Sequence, residues 1–243
     1  MRKTRVYVET NLTAGIAVSI GDDSFHHLSH VLKHRVGDVI YAFDGNGGYF
    51  ESTIISKSKR SITIHPEVFV KDNRESGLRL TLAQGISRGQ KMDFTIQKAV
   101  ELGVYIFVPI MTDRSNVRLD SERSEKRLKH WQKIIISACE QCGRNVLPTI
   151  LEPVKLEEWI SVDTNSMRFV LEPESDSSLS DLKDECADIS LICGPEGGLS
   201  DNELEICKKS GYLAVSLGPR ILRTETAAIS ALAILQSRWG DIR

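Results

Sequence analysis

The sequence predicts two domains, a small N-terminal β-barrel followed by an α/β domain with a parallel sheet. Residues 1–72 contain short segments in which apolar and polar residues alternate, without long crossovers between them. From residue 78 onward, short apolar runs alternate with helical segments, which is typical of an α/β fold. Between the two patterns, residues 71–77 are wholly polar and end in glycine, as linkers do. We therefore predict domains at residues 1–72 and 73–243.

The barrel is predicted from its strands and turns. The run Asp44-Gly45-Asn46-Gly47-Gly48 supplies residues that tolerate positive φ, and it predicts a hairpin between two strands. A second polar turn is expected at Lys57–Arg60, and a short helix at His26–His34. The predicted strands are Arg5–Val8, Gly15–Ile20, Val39–Phe43, Tyr49–Ser56 and Ser61–Val68.

The second domain is predicted to begin with a βαβ unit, made of the strand Leu78–Ile86, the helix Lys91–Leu102 closed by Gly103, and the strand Val104–Ile110. Such a unit implies a parallel sheet with a right-handed crossover. The remaining predicted elements are a long helix at Ser121–Cys142, a weak strand near Thr149, a helix at Lys155–Ile160, strands at Arg168–Leu171, Ile189–Cys193 and Tyr212–Leu217, and helices at Asp201–Ser210 and Thr224–Trp239.

The composition is that of an ordinary globular protein, with 41% hydrophobic and 26% charged residues in 243. No apolar run approaches the roughly 20 residues that cross a bilayer, and no apolar segment follows the basic residues of the N-terminus. A cytoplasmic protein is expected. Five cysteines without the spacing of a disulfide framework predict free thiols in a reducing compartment.

Charge is distributed unevenly along a chain whose net charge is −2. Residues 76–150 carry 12 Lys and Arg against 7 Asp and Glu, whereas residues 151–243 carry 9 against 17. A basic stretch in an acidic protein indicates an anionic partner that meets one face, because phosphate contacts depend on local charge. A solvated helix face of mixed charge would explain the same counts.

The glycine-rich segment Gly194–Leu199 lies between a buried strand and a helix whose start is marked by a capping box, Ser200 with Glu203. Its glycines allow backbone amides to approach a ligand at the carboxyl edge of a sheet. The spacing fits neither phosphate-loop pattern, the segment has no lysine, and Glu196 would repel a phosphate. A glycine-rich turn without a ligand is the alternative.

A second segment, Leu217–Ala228, repeats the order of strand, Gly-Pro turn and helix. Two such turns at neighbouring strand ends would face the same crevice. Arg223 stands in the first turn of the helix, where a cation opposes the helix dipole, so it needs another reason to be there. Caps and dipole complements alone are the competing interpretation of this segment.

The sequence predicts no metal site. Cys139-x-x-Cys142 lacks a second ligand pair at a suitable spacing. His26, His27, His30 and His34 include pairs four residues apart, but no glutamate completes the HExxH order.

Several motifs together resemble one known family. GPEGGLSDNELE followed by LGPRILRTETAA resembles the paired C-terminal signature of the SPOUT superfamily of methyltransferases, and within it the ribosomal RNA small subunit methyltransferase E family. HHLSHVLKHRVGD and FDGNGGYF resemble the PUA-like barrel of that family, while SRGQKMDFTIQKAVELGV, MTDRS and ACEQCGR resemble its central blocks. The blocks occur in the family's order and cover nearly the whole chain.

The resemblance implies an α/β trefoil-knotted SPOUT methyltransferase domain after a PUA-like, RNA-binding β-barrel. It implies methylation of uridine N3 in 16S ribosomal RNA, with uridine 1498 as the family's target, by a homodimer that binds S-adenosyl-L-methionine in three loops. The cofactor-binding residues implied are Leu171, Glu172, Ile192, Gly194, Pro195, Glu196, Gly197, Gly198, Leu199, Leu217, Gly218, Leu222, Arg223, Thr224, Thr226 and Ala227.

For the reaction, arginine remains protonated and cannot act as a base, but it can hold the uracil oxygens as charge develops. Arg223 is the first candidate for this role and Arg220 the second. Glu225 or Glu196 is the candidate proton acceptor, although either could instead orient the cofactor amine.

The predicted RNA contacts are basic residues of the middle third and of the barrel. They are Arg88, Lys91, Lys98, Arg114, Arg118 and Arg144, with Lys33, Lys57, Lys59 and Arg60. Three other functions are alternatives: a non-catalytic RNA-binding assembly factor, a SPOUT enzyme acting on transfer RNA or a ribose hydroxyl, and a nucleotide-phosphate enzyme.

Overall fold

The computed structural model describes residues 4–21, 24–25, 28–29, 32–115, 121–179 and 186–243. It divides into two compact units, of which the first is Met1–Glu75 with Cys139–Leu147 and the second is Ser76–Ala138 with Pro148–Arg243. The segment Cys139–Leu147 therefore groups with the first unit, although the boundary predicted from the linker assigns it to the second domain.

The first unit contains a mixed five-stranded sheet. Its strands are β1 (Arg5–Tyr7), β2 (Val18–Ile20), β3 (Val39–Phe43), β4 (Tyr49–Lys57) and β5 (Ile62–Val70), in the order β1-β3-β4-β5-β2. The predicted hairpin between β3 and β4 is confirmed, because these strands pair antiparallel and Gly45, Gly47 and Gly48 all have positive φ. Apolar residues that alternate along the strands, among them Ile40, Ile54 and Ile64, form the core of this unit.

The helix predicted at His26–His34 falls partly outside the described residues, since His26, His27 and His30 are not among them. His34 is described. Its Nδ1 lies 2.9 Å from Asp38 Oδ2 and its Nε2 lies 2.8 Å from Thr4 Oγ1, so both ring nitrogens have partners within the unit.

The segment Cys139–Leu147 is fixed to the first unit by buried polar contacts. Arg144 Nε donates to Glu75 Oε2 at 3.1 Å, and the arginine is only 4% exposed. Asn145 accepts from the Arg5 guanidinium and donates through Nδ2 to the Asp72 carbonyl at 2.7 Å. These partners lie about 70 to 140 residues away in sequence, so no local pattern could have indicated the grouping.

The second unit is built on a parallel sheet, as predicted. Its strands are β6 (Arg79–Gly85), β7 (Ile106–Met111), β8 (Thr149–Ile150), β9 (Val154–Lys155), β10 (Met167–Leu171), β11 (Asp188–Cys193) and β12 (Leu213–Val215). Their order is β12-β10-β11-β6-β7-β8, with β9 also paired to β7, and every pairing is parallel. The two-residue strand β9 was not predicted, because it is too short to show a period.

The helices of this unit are α1 (Gln90–Glu101), α2 (Ser121–Cys142, whose last turn groups with the first unit), α3 (Leu156–Val162), α4 (Asp201–Lys209) and α5 (Thr224–Trp239). Helices α3 and α4 pack on one face of the sheet, around Val108, Val170 and Ile192. Helix α5 packs against α1 and β11. Adjacent strand residues such as Phe107 and Leu191 are also buried, so both faces of the sheet are covered.

Within the described ranges, none of the helices has the length and apolar character needed to cross a membrane. All five cysteines are described and carry free thiols. Burial raises the pKa of the Cys139 thiol, in the last turn of α2, to about 12, which fits a structural position in the helix.

Candidate active site

A cleft of about 670 Å³ opens in the second unit, where the chain leaves the carboxyl ends of β10, β11 and β12. Its size is ordinary for a site that holds a small molecule. Three loops supply most of its wall, the one after β10, the one after β11, and the one that joins β12 to α5. The lining residues are Lys91, Arg114, Leu171, Glu172, Pro173, Glu174, Cys193, Gly194, Pro195, Glu196, Gly198, Leu199, Asp201, Leu204, Pro219, Arg220, Ile221, Leu222, Arg223, Thr224 and Ala227.

The loop after β11 is held by contacts at its far end. The predicted capping box is confirmed, since Ser200 Oγ accepts from the Glu203 N–H and Glu203 Oε2 accepts from the Ser200 N–H at 2.7 Å. Glu203 Oε1 also accepts from the Asp113 N–H at 2.9 Å, although Glu203 is only 1% exposed. Arg114 Nη1 donates to the carbonyls of Gly197 and Leu199 at 3.3 and 2.9 Å. The loop is thus tied to the segment that follows β7.

Glu196 projects from the same loop and has fixed partners. Its Oε1 accepts from the Arg88 N–H at 3.2 Å and lies 3.4 Å from Lys91 Nζ. Burial alone would raise the pKa of Glu196, but the backbone N–H groups of Glu196 and Arg88 and the Lys91 ammonium together hold the pKa below its usual range. The carboxylate is therefore ionised at neutral pH.

The start of α5 is joined to the loop after β11 by Thr224. Its Oγ1 donates to the Gly194 carbonyl at 2.6 Å and lies 2.9 Å from Gln84 Nε2. The Cys193 thiol lies 3.6 Å from the Thr224 carbonyl, and burial raises its pKa to about 11. The thiol is therefore neutral and packs as a small apolar group.

The loop that precedes α5 presents two cations at the mouth of the cleft. Arg220 and Arg223 are both exposed, and within the described part of the chain neither guanidinium has an ion-pair partner. Between them, Ile221 is 87% exposed. Arg223 is the N-cap residue of α5 but makes no capping hydrogen bond with its side chain. Its guanidinium is thus available to an anionic or carbonyl-bearing ligand.

Most of the predicted cofactor residues lie together in the cleft wall. Those that line it are Leu171, Glu172, Gly194, Pro195, Glu196, Gly198, Leu199, Leu222, Arg223, Thr224 and Ala227. Those that do not line it are Ile192, Gly197, Leu217, Gly218 and Thr226. Ile192 is fully buried in β11, and Gly197 packs against Arg114 instead.

Only some of the predicted catalytic residues line the cleft. Arg223 and Arg220 line the cleft, whereas Glu225 does not. Glu225 Oε2 is buried and has no hydrogen-bond partner within the described residues. Of the two candidate proton acceptors, Glu196 is therefore the one that reaches the cleft.

The basic residues predicted to bind RNA have diverse environments. Lys91 and Arg114 line the cleft, Lys98 pairs with Glu101, and Arg88 is exposed beside Glu196. Arg144 is no longer a candidate, because it is buried against Glu75. Arg118 lies outside the described residues.

Four barrel cations were also predicted to bind RNA, and all of them are exposed in the first unit. They are Lys33, Lys57, Lys59 and Arg60. Lys57 Nζ donates to the His34 carbonyl at 3.2 Å, so this ammonium also supports the neighbouring chain.

Several lining residues were not predicted, namely Pro173, Glu174, Cys193, Asp201, Leu204, Pro219 and Ile221. All of them except Leu204 lie within two residues of a predicted position, so slightly longer predicted loops would have included those six. Lys91 and Arg114 were predicted to bind RNA because of their positive charge. The sequence does not show that both side chains contact the Gly194–Leu199 loop. Among the described residues, no three His, Cys, Asp or Glu side chains are grouped to hold a metal ion.

Comparison with known proteins agrees with this architecture. Residues 74–236 match the RNA methyltransferase domain family, and residues 20–67 match the RNA methyltransferase PUA domain family. The ribosomal RNA small subunit methyltransferase E of Buchnera aphidicola is 34% identical over 240 residues, which are 98% of this chain and 95% of that relative. The enzyme of the same name from Bacillus subtilis is 30% identical and covers 93% of this chain and 91% of its own.

Two solved structures are similar over the full length of both chains. One is a putative methyltransferase from Legionella pneumophila in complex with the bound cofactor SAM, with a TM-score of 0.97 and 37% identity. The other is a ribosomal RNA small subunit methyltransferase E from Neisseria gonorrhoeae bound to S-adenosyl methionine, with a TM-score of 0.91 and 36% identity. Its similarity in sequence to these relatives, its two units and the cleft at the strand ends show that this chain belongs to the ribosomal RNA small subunit methyltransferase E family of RNA methyltransferases.

Proposed function

We propose that this protein methylates N3 of a uridine in 16S ribosomal RNA, the family target at position 1498, with S-adenosyl-L-methionine as methyl donor. The observation that carries the proposal is the cleft formed by three loops at the carboxyl ends of parallel strands. Its outer loop presents Arg220 and Arg223, neither of which has an ion-pair partner among the described residues. Two similar full-length structures, at 37% and 36% identity, contain the same cofactor.

The lining of the cleft fits this cofactor. Leu171, Leu199 and Leu222 provide apolar surface for an adenine ring. Glu172 and Glu174 supply negative charge, which favours a ligand with a sulfonium and an ammonium group and disfavours a triphosphate. A Cβ at Gly194 would lie 3.0 Å from the Gly198 carbonyl carbon, so the loop closes tightly on itself at this position in the cleft wall. When bound, S-adenosylmethionine supplies the methyl group that is transferred to nitrogen.

The protein's own groups would handle charge on the uracil. N3 of uridine is protonated at neutral pH, so a proton must leave and the negative charge shared with O2 and O4 must be stabilised. Arg223, with Arg220 beside it, donates hydrogen bonds to those oxygens from the mouth of the cleft. Glu196 is the proposed proton acceptor, because it lines the cleft and is ionised. Glu225 does not line the cleft, and its proposed role is to help fix the position of helix α5.

The exposed cations of each unit are proposed to contact RNA phosphates. In the first unit these are Lys33, Lys59 and Arg60, and in the second they include Arg88. Phosphate contacts of this kind orient the RNA, while the cleft selects a base that is splayed out of its stack. We propose that the barrel domain serves RNA binding and the C-terminal domain serves catalysis.

We also propose that the C-terminal segment forms the trefoil knot of the SPOUT superfamily. The order of elements supports this. Strand β12 lies at the edge of the sheet beside β10, but the following helix α5 packs against the central strand β11 and against α1. The segment between them must therefore return across the carboxyl ends of the strands, past Gly194 and Gln84, to which Thr224 is bonded.

The active form is proposed to be a cytoplasmic homodimer, in which helix α5 provides the shared surface. One face of α5 is buried by α1 and β11. Away from that face, Ile234 is 39% exposed, and Ile229 and Ala233 are half-buried. Apolar residues on both sides of a helix indicate a second partner, and a symmetric dimer would cover the free side. Sedimentation equilibrium should give a dimer for the wild type and a monomer for Ile234→Glu.

Two measurements test the activity. Calorimetry should show one S-adenosylmethionine site per chain, and binding of ATP without binding of S-adenosylmethionine would contradict the proposal. Methylation with labelled S-adenosylmethionine and either 16S RNA or assembled small subunits, followed by nucleoside mass spectrometry, should yield 3-methyluridine. A product methylated at the ribose or at carbon would overturn the N3 assignment. Arg223→Ala is the matched inactive control, since it removes the proposed charge stabilisation without touching the buried core.

A further inference from the structure

Gln84 stands at the carboxyl end of the central strand β6 and is fully buried. Its amide group does not line the cleft, yet it lies behind two of the three loops that do. Gln84 Nε2 is 3.2 Å from the Gly194 carbonyl and 2.9 Å from Thr224 Oγ1, and it is also 3.1 Å from the Gly85 carbonyl. A single amide thus contacts the end of its own strand, the loop after β11 and the start of α5.

Thr224 completes the cluster from the opposite side. Its hydroxyl donates to the Gly194 carbonyl at 2.6 Å while it accepts from Gln84 Nε2, so Gln84, Thr224 and Gly194 form a closed triangle of hydrogen bonds. Gly194 and Thr224 both line the cleft. A buried polar cluster of this kind allows few alternative arrangements, because each lost bond would leave a polar group without a partner in the interior.

We infer that Gln84 is a positioning residue for the cofactor site, which sets the spacing between the Gly194–Leu199 loop and the first turn of α5. The inference rests on the proposed function, in which those two segments hold S-adenosylmethionine. An apolar residue would fill the same volume in β6, where the other side chains from Leu80 to Ala83 are buried as well. It would not join two loops that are 110 and 140 residues away in sequence. The amide therefore serves the geometry of the cleft as well as the stability of the strand.

The test compares Gln84→Met, which keeps the length of the side chain but removes both donors, with Gln84→Glu, which places a carboxylate among carbonyl oxygens. We expect the dissociation constant of S-adenosylmethionine to rise about tenfold or more in each variant, as for a buried bond left unmade. The KM for RNA and the kcat at saturating cofactor should change less. Thr81→Val is the matched control, because Thr81 is a buried polar residue of the same strand, three residues further from the cleft.

Thr224 provides a second arm. Thr224→Val should weaken cofactor binding, whereas Thr224→Ser, which keeps the hydroxyl, should restore most of it. In a double-mutant cycle, Gln84→Met and Thr224→Val should be strongly non-additive in cofactor binding, because they break the same triangle.

The outcomes separate the inference from the function on which it rests. If the wild-type protein bound no S-adenosylmethionine, the proposed function would fail. If the wild type bound it and the Gln84 variants bound it equally well, only the positioning role would be rejected. A Gln84 variant that lost thermal stability but kept its cofactor affinity, measured well below its melting temperature, would assign Gln84 to folding alone.

Discussion

Gly85 ends strand β6 directly against Pro195, so that a Cβ atom on Gly85 would lie 2.4 Å from the Pro195 backbone nitrogen. The same atom would lie 2.8 Å from the Gly194 carbonyl carbon. Both contacts are to backbone, which cannot rotate away as a flexible side chain can. The loop after β11 therefore sits as close to the sheet as a glycine permits.

Gly85→Ala should displace this loop and weaken cofactor binding. We expect the dissociation constant of S-adenosylmethionine to rise at least about tenfold, since repositioned loop backbone no longer matches its ligand. Isothermal titration calorimetry measures the change directly. Gly77→Ala is the control, because a Cβ at Gly77 would meet no atom within 4 Å. Unchanged affinity in Gly85→Ala would show that the close approach is irrelevant to the cleft.

Arg223→Ala should reduce kcat far more than it reduces cofactor affinity. The guanidinium is exposed at the cleft mouth, where it would stabilise charge that develops on the uracil only during the reaction. A loss of about 10² to 10³ in kcat is expected by analogy with the removal of one oxyanion donor. Single-turnover methylation assays and calorimetry separate the two effects. Equal losses in kcat and cofactor affinity would assign Arg223 to cofactor binding instead.

The strands and helices were predictable wherever a local pattern specified them. The helices at Ser121–Cys142 and Thr224–Trp239 and the strand at Val39–Phe43 agree with the structure residue for residue. The Ser200 and Glu203 capping box is also local, because its two residues are three apart. Contacts over long separations were not predictable. Nothing near Arg144 in the sequence indicates Glu75 as its partner, and its charge alone led to the prediction of an RNA contact.

The same distinction applies to the cleft. The glycines of the Gly194–Leu199 loop and the Gly-Pro turn after β12 could be found because such residues at strand ends indicate ligand loops. Gln84 could not be found in this way. A glutamine at the end of an apolar strand carries no local sign that its amide meets Thr224, which lies 140 residues further along the chain.

Replacing Glu203 should destabilise the second unit. Both carboxylate oxygens accept backbone N–H groups, from Asp113 and from Ser200, and the side chain is buried. Glu203→Gln places an amide –NH₂ against one of these donors, and we expect a loss of about 1 to 3 kcal/mol in the free energy of unfolding. Urea denaturation measures it. Glu205→Gln on the exposed side of α4 should stay within about 0.5 kcal/mol of the wild type.

The ion pair of Arg144 and Glu75 should stabilise the first unit. The arginine side chain is 5% exposed and the glutamate 22%, so removal of one partner leaves a largely buried charge. Glu75→Gln should lower the free energy of unfolding by about 2 kcal/mol, somewhat less than for a fully buried pair. The exposed pair of Lys129 and Glu125 is the comparison, and Lys129→Ala should cost less than about 1 kcal/mol. Similar losses for both would show that the burial of Arg144 has no energetic consequence.

Glu140 should make stability depend on pH in a direction opposite to that of most carboxylates. Burial raises the pKa of Glu140, and the Tyr7 N–H and the Arg5 guanidinium oppose this shift only in part. Because its pKa is higher in the folded protein than in the unfolded chain, folding favours the protonated acid. The stability that Glu140 contributes is therefore full below its unfolded pKa of about 4.5 and is lost as the pH rises through its folded value.

Glu140→Gln keeps an oxygen to accept from the Tyr7 N–H but removes the titration. We expect the variant to gain stability relative to the wild type as the pH rises from 4 to 8. The measurement is the difference in melting temperature between the two proteins across that range, in which the contributions of other groups cancel. A difference that stays constant with pH would mean that the Tyr7 N–H and Arg5 balance the burial of the carboxylate, and a difference that shrinks toward pH 8 would mean that they outweigh it.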